Sequence, residues 1–158
     1  MATGCALGFL KEIVNGDFTG IAVKDNETMK IGDKTLQFLV VPNLHWPDTM
    51  YTYIEEEQIL VTCDSFGSHY GFEDVLSSKV TDREGYMRAT KYYFDCILGP
   101  FKPYMLKALE RVRKLDVSMI CTGHGPVLDD KLEQMYDIYE EWCTVVNPNS
   151  TKTVIILM

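Results

Sequence analysis

The chain has 158 residues, the length of one domain, and a chain of this size buries about 70% of its unfolded surface on folding. Its hydrophobic fraction of 46% with 24% charged residues excludes disorder, and a net charge of −8 without a basic cluster excludes a general nucleic-acid or anionic-membrane surface. Five cysteines, widely spaced and without a C-x-x-C pair, exclude a disulfide framework or zinc ribbon and point to a reducing cytoplasm. No apolar run approaches ~18 residues, and the short patch at residues 6–10 lacks a basic leader, so a soluble protein without membrane span or signal peptide is expected.

Leu7, Leu10 and Val14 recur at helical spacing before the stop Asn15-Gly16-Asp17, which predicts a short amphipathic helix over residues 4–14. Residues 18–24 and 28–31 read as short strands, and Gly32-Asp33 turns the chain into a third strand at 35–41, a meander. Two further strands, 50–55 and 58–63, are joined through Glu55-Glu56-Glu57, a solvated acidic turn. Asp82 then caps a helix over 83–98, with Tyr86, Ala89, Tyr93, Phe94 and Ile97 on one face and Gly99-Pro100 as its stop. A second helix starts at Lys102 or Pro103 and runs to Leu115 with the stripe Met105, Leu106, Leu109, Val112. A short buried strand at 117–121 precedes a last helix from Asp129 or Asp130 to about Cys143. Asn147-Pro148-Asn149-Ser150 has linker composition, and residues 152–158 read as a strand of the kind that opens a parallel sheet, after which the chain looks cut.

Three of the apolar runs end in a side chain able to bind a metal. The run at 36–41 leads to His45 within Pro-Asn-Leu-His-Trp-Pro-Asp, the run at 60–63 to Asp64 within Asp-Ser-Phe-Gly-Ser-His, and the run at 117–121 to His124 within Thr-Gly-His-Gly-Pro. Imidazole and carboxylate suit zinc, iron or manganese, and a carboxylate can bridge two ions through its two oxygens. Trp46 and Pro47 stiffen the chain after His45, while Gly67, Gly123 and Gly125 let backbone pass close to a site. A centre built on loops at one edge of a sheet is the expectation.

These stretches, Pro42-x-x-His45-Trp46-Pro47-Asp48-x-Met50, Asp64-Ser65-Phe66-Gly67-x-His69 and Gly123-His124-Gly125-Pro126, resemble the second half of the metallo-β-lactamase-like domain of flavodiiron proteins. The resemblance implies an α+β fold, the C-terminal half of a metallo-β-lactamase-like αββα sandwich over residues 1–146. A linker at 147–151 and the first strand of a flavodoxin-like domain at 152–158 would follow. It also implies an oxidoreductase that reduces dioxygen to water or nitric oxide to nitrous oxide with two non-haem irons and FMN. His45 then matches the ligand of one iron, Asp64 the bridging carboxylate and His124 the ligand of the other iron. His69 and one of Tyr92 or Tyr93 would stand behind them around the substrate pocket, the plainer role of both tyrosines being the core face of their helix.

The departures set further expectations. The family's His-x-Glu-x-Asp-His motif does not occur here, the chain holds 3 His in total, and the FMN domain is represented by its opening strand. The chain is therefore expected to carry part of a diiron centre, to bind metal weakly or not at all by itself, and to be inactive alone. The alternative is a split or non-catalytic subunit that pairs with a complementary chain or with its own copies. A hydrolase in which metal-bound water attacks an ester or amide is the third reading, disfavoured by the His-Trp-Pro-Asp flank.

Overall fold

The computed structural model describes residues 1–144; the linker and the strand expected at 147–158 lie outside them. The chain runs β1 (Ala2–Thr3), α1 (Gly4–Ile13), β2 (Ala22–Val23), β3 (Thr28–Ile31), β4 (Lys34–Val40), β5 (Met50–Ile54), β6 (Ile59–Val61), α2 (Arg83–Tyr93), α3 (Lys102–Val112), β7 (Met119–Cys121) and α4 (Leu132–Thr144). Strands β3 to β7 form one sheet in sequence order, antiparallel except for the parallel pair β6 and β7. The β3–β4 turn holds Gly32 at φ +64°, as a two-residue hairpin with glycine at its first central position requires. The two parallel strands are joined by the crossover that contains α2 and α3.

Alternation along β5 decides which face is covered. Tyr51 and Tyr53 are buried while Met50, Thr52 and Ile54 are half-buried, and the register carries Leu39, Leu60 and Ile120 to the same side as the two tyrosines. That side receives α2, the turn that follows it, α3 and α4, from which Phe94, Leu98, Met105, Leu109 and Tyr139 complete the core. Each large side chain buried there contributes on the order of 1.5–3 kcal/mol.

The Asp82 carboxylate accepts from the Gly85 N–H at 2.8 Å and starts α2, which buries Tyr86, Thr90 and Tyr93 at offsets of four and three residues. A π-helical turn over Phe94–Leu98 follows and turns Phe94 and Leu98 inward. Arg113, just beyond α3, ties that helix to α4 through Glu133 (2.9 Å), Asp137 (2.7 Å) and Glu140 (3.1 Å).

Two expectations change at the N-terminus. The strand read over 18–24 is two residues long, β2, paired in parallel with β1. Gly20 passes so close to α1 that a Cβ there would stand 2.6 Å from Leu7 Cδ2, so this stretch follows the helix surface instead of extending the sheet. The helix itself is capped by Thr3, whose Oγ1 accepts from the Ala6 N–H at 3.1 Å, yet none of its residues is buried.

Candidate metal centre

Asp64 lies where β6 runs out into a loop held on every side. The Thr62 N–H donates to the Cys121 carbonyl at 3.1 Å, prolonging the parallel pair, and the Thr62 hydroxyl donates to the Ser65 carbonyl at 2.8 Å. The Tyr51 hydroxyl donates to Ser65 Oγ at 2.6 Å from inside the core. Phe66 plugs the loop into the core against Tyr139 and Tyr136, ring centroids 4.8 and 5.6 Å away. Cys63 and Phe66 flank the carboxylate at φ +51° and +65°, a conformation non-glycine residues hold only where the surroundings enforce it.

His45 is presented by the turn between β4 and β5. Leu44 is buried beneath it, and the Trp46 carbonyl accepts from the Asn43 N–H (2.8 Å), the Thr49 N–H (3.2 Å) and the Thr49 hydroxyl (2.8 Å), which knots the turn around His45. His124 follows β7. The Gly123 N–H donates to the Cys63 carbonyl at 2.5 Å, and the Ser68 N–H donates to the His124 carbonyl at 3.1 Å, so this loop and the Asp64 loop interlock. A Cβ on Gly125, which has φ +85°, would meet Ser68 Oγ at 2.4 Å.

These loops bring all three predicted residues together. His45 Nε2 stands 3.0 Å from Asp64 Oδ2 and His124 Nε2 stands 3.4 Å from Asp64 Oδ1, one imidazole on each carboxylate oxygen. The side chains are 29%, 49% and 22% exposed for His45, His124 and Asp64, so the group is reachable from solvent. His69 joins it: its ring meets Tyr93 edge-on at 4.9 Å and His124 at 5.2 Å. Of the two tyrosines, Tyr93 is buried beside the group and Tyr92 points to solvent. Burial, with the charge and hydrogen bonding of Asp64, pushes the Tyr93 hydroxyl up to about 12, so it stays protonated at neutral pH. Burial first, then the charges of Asp64 and Asp48, raises the Cys63 thiol.

The donor set fits part of a two-metal centre. Two donors that each bind an ion at about 2.1 Å and subtend a right angle stand ~3 Å apart, so each nitrogen–oxygen separation has the length of one edge of a coordination polyhedron. Each side of the carboxylate thus offers one nitrogen and one oxygen. Among the described residues, no group of three or more His, Cys, Asp or Glu converges on a single point.

Sequence reasoning missed Thr62, Ser65 and Tyr51, which hold the loop; the signal was a polar pair at the end of an apolar strand. It also missed a groove of about 670 Å³ between α1 and the turn that carries His45, lined by Phe9, Ile13, Leu44, Trp46 and Met50 and reaching Asp64.

A sheet with helices on one face and a His–carboxylate–His group at its edge defines part of a metallo-β-lactamase-like domain. The family model described as "ODP family beta lactamase" matches residues 6–125, and the chain belongs to that family. Its relatives are flavodiiron proteins. It is 43% identical over 122 residues to flavo-diiron protein FprA2 of Clostridium acetobutylicum, covering 76% of this chain and 30% of that one. It is 35% identical over 158 residues to diflavin flavoprotein A 1 of Synechocystis, covering 99% and 27%. The crystal structure of the flavodiiron protein from Giardia intestinalis superimposes with a TM-score of 0.84 at 34% identity, over 90% of this chain and 35% of that one. Rubredoxin oxygen:oxidoreductase from Desulfovibrio gigas gives 0.83 at 26% identity, over 90% and 36%. The chain thus spans about a quarter to a third of the length of these relatives.

Proposed function

We propose that this chain supplies one part of a diiron centre that reduces dioxygen or nitric oxide, with Asp64 bridging the two irons, His45 on one and His124 on the other. The observation that carries the reading is the placement of one imidazole nitrogen on each oxygen of a single carboxylate. When bound, a ferrous pair would supply Lewis acidity and the electrons for reducing the diatomic. The chain's own residues fix positions. Asp64 sets the spacing, its loop being held by Thr62, Ser65 and Phe66. The Tyr93 hydroxyl, protonated at neutral pH, offers a hydrogen bond beside Asp64, and the His69 ring keeps the His124 ring in place edge-on.

The remaining donors, and the FMN that feeds such a centre, belong on this reading to polypeptide outside the described residues. Pairing with a complementary chain is then the condition of activity. The five cysteines are all free among the described residues, which supports a reducing cytoplasmic setting, and no described helix is long and apolar enough to cross a membrane.

Anaerobic iron loading followed by elemental analysis tests the proposal. By itself the chain is expected to retain iron weakly, in an Asp64-dependent manner, and to consume neither gas. Iron held tightly and stoichiometrically by the chain alone would overturn the partial-centre reading, and iron uptake indifferent to Asp64→Asn would overturn the assignment of the bridge.

A further inference from the structure

A second cavity lies apart from Asp64, between the N-terminal turns of α2 and α4. Its volume is about 160 Å³, and it shares no lining residue with the candidate metal centre. Met87, Leu128, Met135 and Ile138 form the apolar part of its wall. The polar part holds Arg83, Tyr86, Lys131 and Gln134 as donors, with Asp130 as the one acid. Two cations against one carboxylate give this wall the opposite sign to the chain as a whole, whose net charge is −8.

The acid is already matched, and most of the donors are not. Asp130 accepts from Arg83 Nη2 at 3.0 Å and from the Ser77 hydroxyl at 2.8 Å. Arg83 uses Nη2 alone, on Asp130 and on the Ser78 carbonyl at 3.4 Å, and among the described residues the Lys131 ammonium and the Gln134 amide have no partner. Lys131 has no side-chain oxygen to cap the helix it precedes. The first N–H of α4 to find a backbone acceptor is that of Met135, on the Lys131 carbonyl at 3.0 Å, so the helix presents open N–H groups and the positive end of its dipole. Glu133, in the same turn, is held by Arg113 at 2.9 Å. Tyr86 supplies the independent sign of a ligand. It is 2% exposed and lines the cavity, and its hydroxyl is buried without a partner among the described residues, the Thr90 hydroxyl donating instead to the Tyr86 carbonyl at 2.9 Å. Burial raises this hydroxyl above its usual value, and the charges of Arg83 and Asp130 act on it, so it is a protonated donor at neutral pH.

An anion with a short apolar tail answers every part of this wall. Sulfate or phosphate would leave the four apolar residues uncovered and set a second negative charge against Asp130; a cation finds Asp130 already paired; an alcohol leaves Lys131 and the helix end unanswered. The space is about five times the ~30 Å³ share of one water and suits a chain of about four to six carbons. We propose that the cavity between α2 and α4 binds a short-chain monocarboxylate. Its carboxylate lies between Lys131, the Tyr86 hydroxyl and the open end of α4, and its tail lies along Met87, Leu128 and Ile138. The site stands whether or not metal binds at Asp64.

Calorimetric titration of pentanoate into the chain in EDTA tests the site. One site with a Kd on the order of 0.1–1 mM is expected for a ligand of this size. Acetate keeps the charge without the tail and 1-pentanol keeps the tail without the charge, and each should bind at least about tenfold more weakly. Lys131→Gln should weaken pentanoate about tenfold and Tyr86→Phe severalfold. Because a replaced core tyrosine can loosen the helix packing, the exposed Lys131 carries the decision: pentanoate binding unchanged in Lys131→Gln overturns the site. Methionine methyl resonances locate the ligand without any substitution. Pentanoate should shift the signals of Met87 and Met135 and leave that of Met50, in the groove beside α1, in place. A shift at Met50 in their stead, or no binding at about 10 mM, overturns the proposal. Sulfate binding as tightly as pentanoate would show a helix end that attracts any anion, and overturns it equally.

Discussion

Three glycines, one in the β3–β4 turn and two beside the centre, separate the two ways in which a Cβ can damage this fold. Gly32 has φ +64° with nothing within 4 Å of a built Cβ; Gly123 lacks a positive φ but its Cβ would lie 3.1 Å from the Cys63 carbonyl oxygen; Gly125 combines φ +85° with a Cβ 2.5 Å from the Ser68 carbonyl oxygen. Alanine at Gly32 incurs about 1–2 kcal/mol of left-handed strain, offset by about 0.4–1 kcal/mol from a stiffer unfolded chain. The net is a loss of about 0.5–1 kcal/mol. Alanine at Gly125 incurs the same strain and must also displace backbone, an overpacking cost of about 1–3 kcal/mol, for a loss of about 2–4 kcal/mol. Gly123→Ala should fall between. Urea unfolding followed by circular dichroism measures the order, and Gly125→Ala should in addition abolish Asp64-dependent metal uptake, because Ser68 holds the His124 carbonyl. If Gly125→Ala loses no more stability than Gly32→Ala, the interlock of the two loops is not what fixes His124.

Other consequences are as specific. The Tyr139 hydroxyl is fully buried without a hydrogen-bond partner among the described residues, a state that costs about 1–3 kcal/mol; Tyr139→Phe should raise the urea midpoint by the equivalent of about 1 kcal/mol, and a drop of that size would show that the hydroxyl is satisfied. Burial pushes the Asp129 carboxyl up, but hydrogen bonds from the Ser78 hydroxyl and N–H and the Ser77 hydroxyl outweigh it and hold it below its usual value. A depressed carboxyl stabilises the fold at pH above the unfolded value of about 3.9 and loses that contribution as pH falls through the folded value. Thermal midpoints of wild type and Asp129→Asn should therefore differ at pH 6 and converge as the pH falls through the depressed folded value; a constant difference would refute the linkage.

Much of this could be read from the residues, because the strands obey period two and α2 to α4 obey the helical period. Met50-Tyr51-Thr52-Tyr53-Ile54 is a strand in any reading, and the three donors announced themselves as polar residues following apolar runs. What escaped detection depends on contacts distant in sequence. Residues 18–24 have strand composition, but Gly20 is held against Leu7, and β1 offers β2 only two rungs. The helical spacing of Leu7 and Leu10 predicts a face with a partner, and no residue of α1 is buried. Tyr92 and Tyr93 differ by about 100° of helical rotation, so one of them had to face the core. Which of them did so depended on the exact phase of α2 before its π turn.

The position of the donors is fixed by the polypeptide, and this separates folding from metal binding. The Asp64 and His124 loops are joined by the Thr62, Gly123 and Ser68 backbone bonds, the Phe66 plug seats the Asp64 loop in the core, and the His45 turn is closed within itself at the Trp46 carbonyl; none of these contacts involves a donor side chain. His45, Asp64 and His124 are partly exposed and touch one another mainly as a polar trio. Partly exposed pairs of this kind contribute about 0–1 kcal/mol, and in a domain near this size 1 kcal/mol moves the melting midpoint by about 2–4 °C. Single replacements His45→Ala, Asp64→Asn and His124→Ala should therefore each shift the midpoint of the metal-free chain by no more than about 4 °C, read by calorimetry in EDTA. A fall of about 10 °C or more at Asp64 would mean that the carboxylate is part of what closes the loops. Its geometry towards the two imidazoles would then be a structural knot, and the case for a preformed metal bridge would lose its foundation.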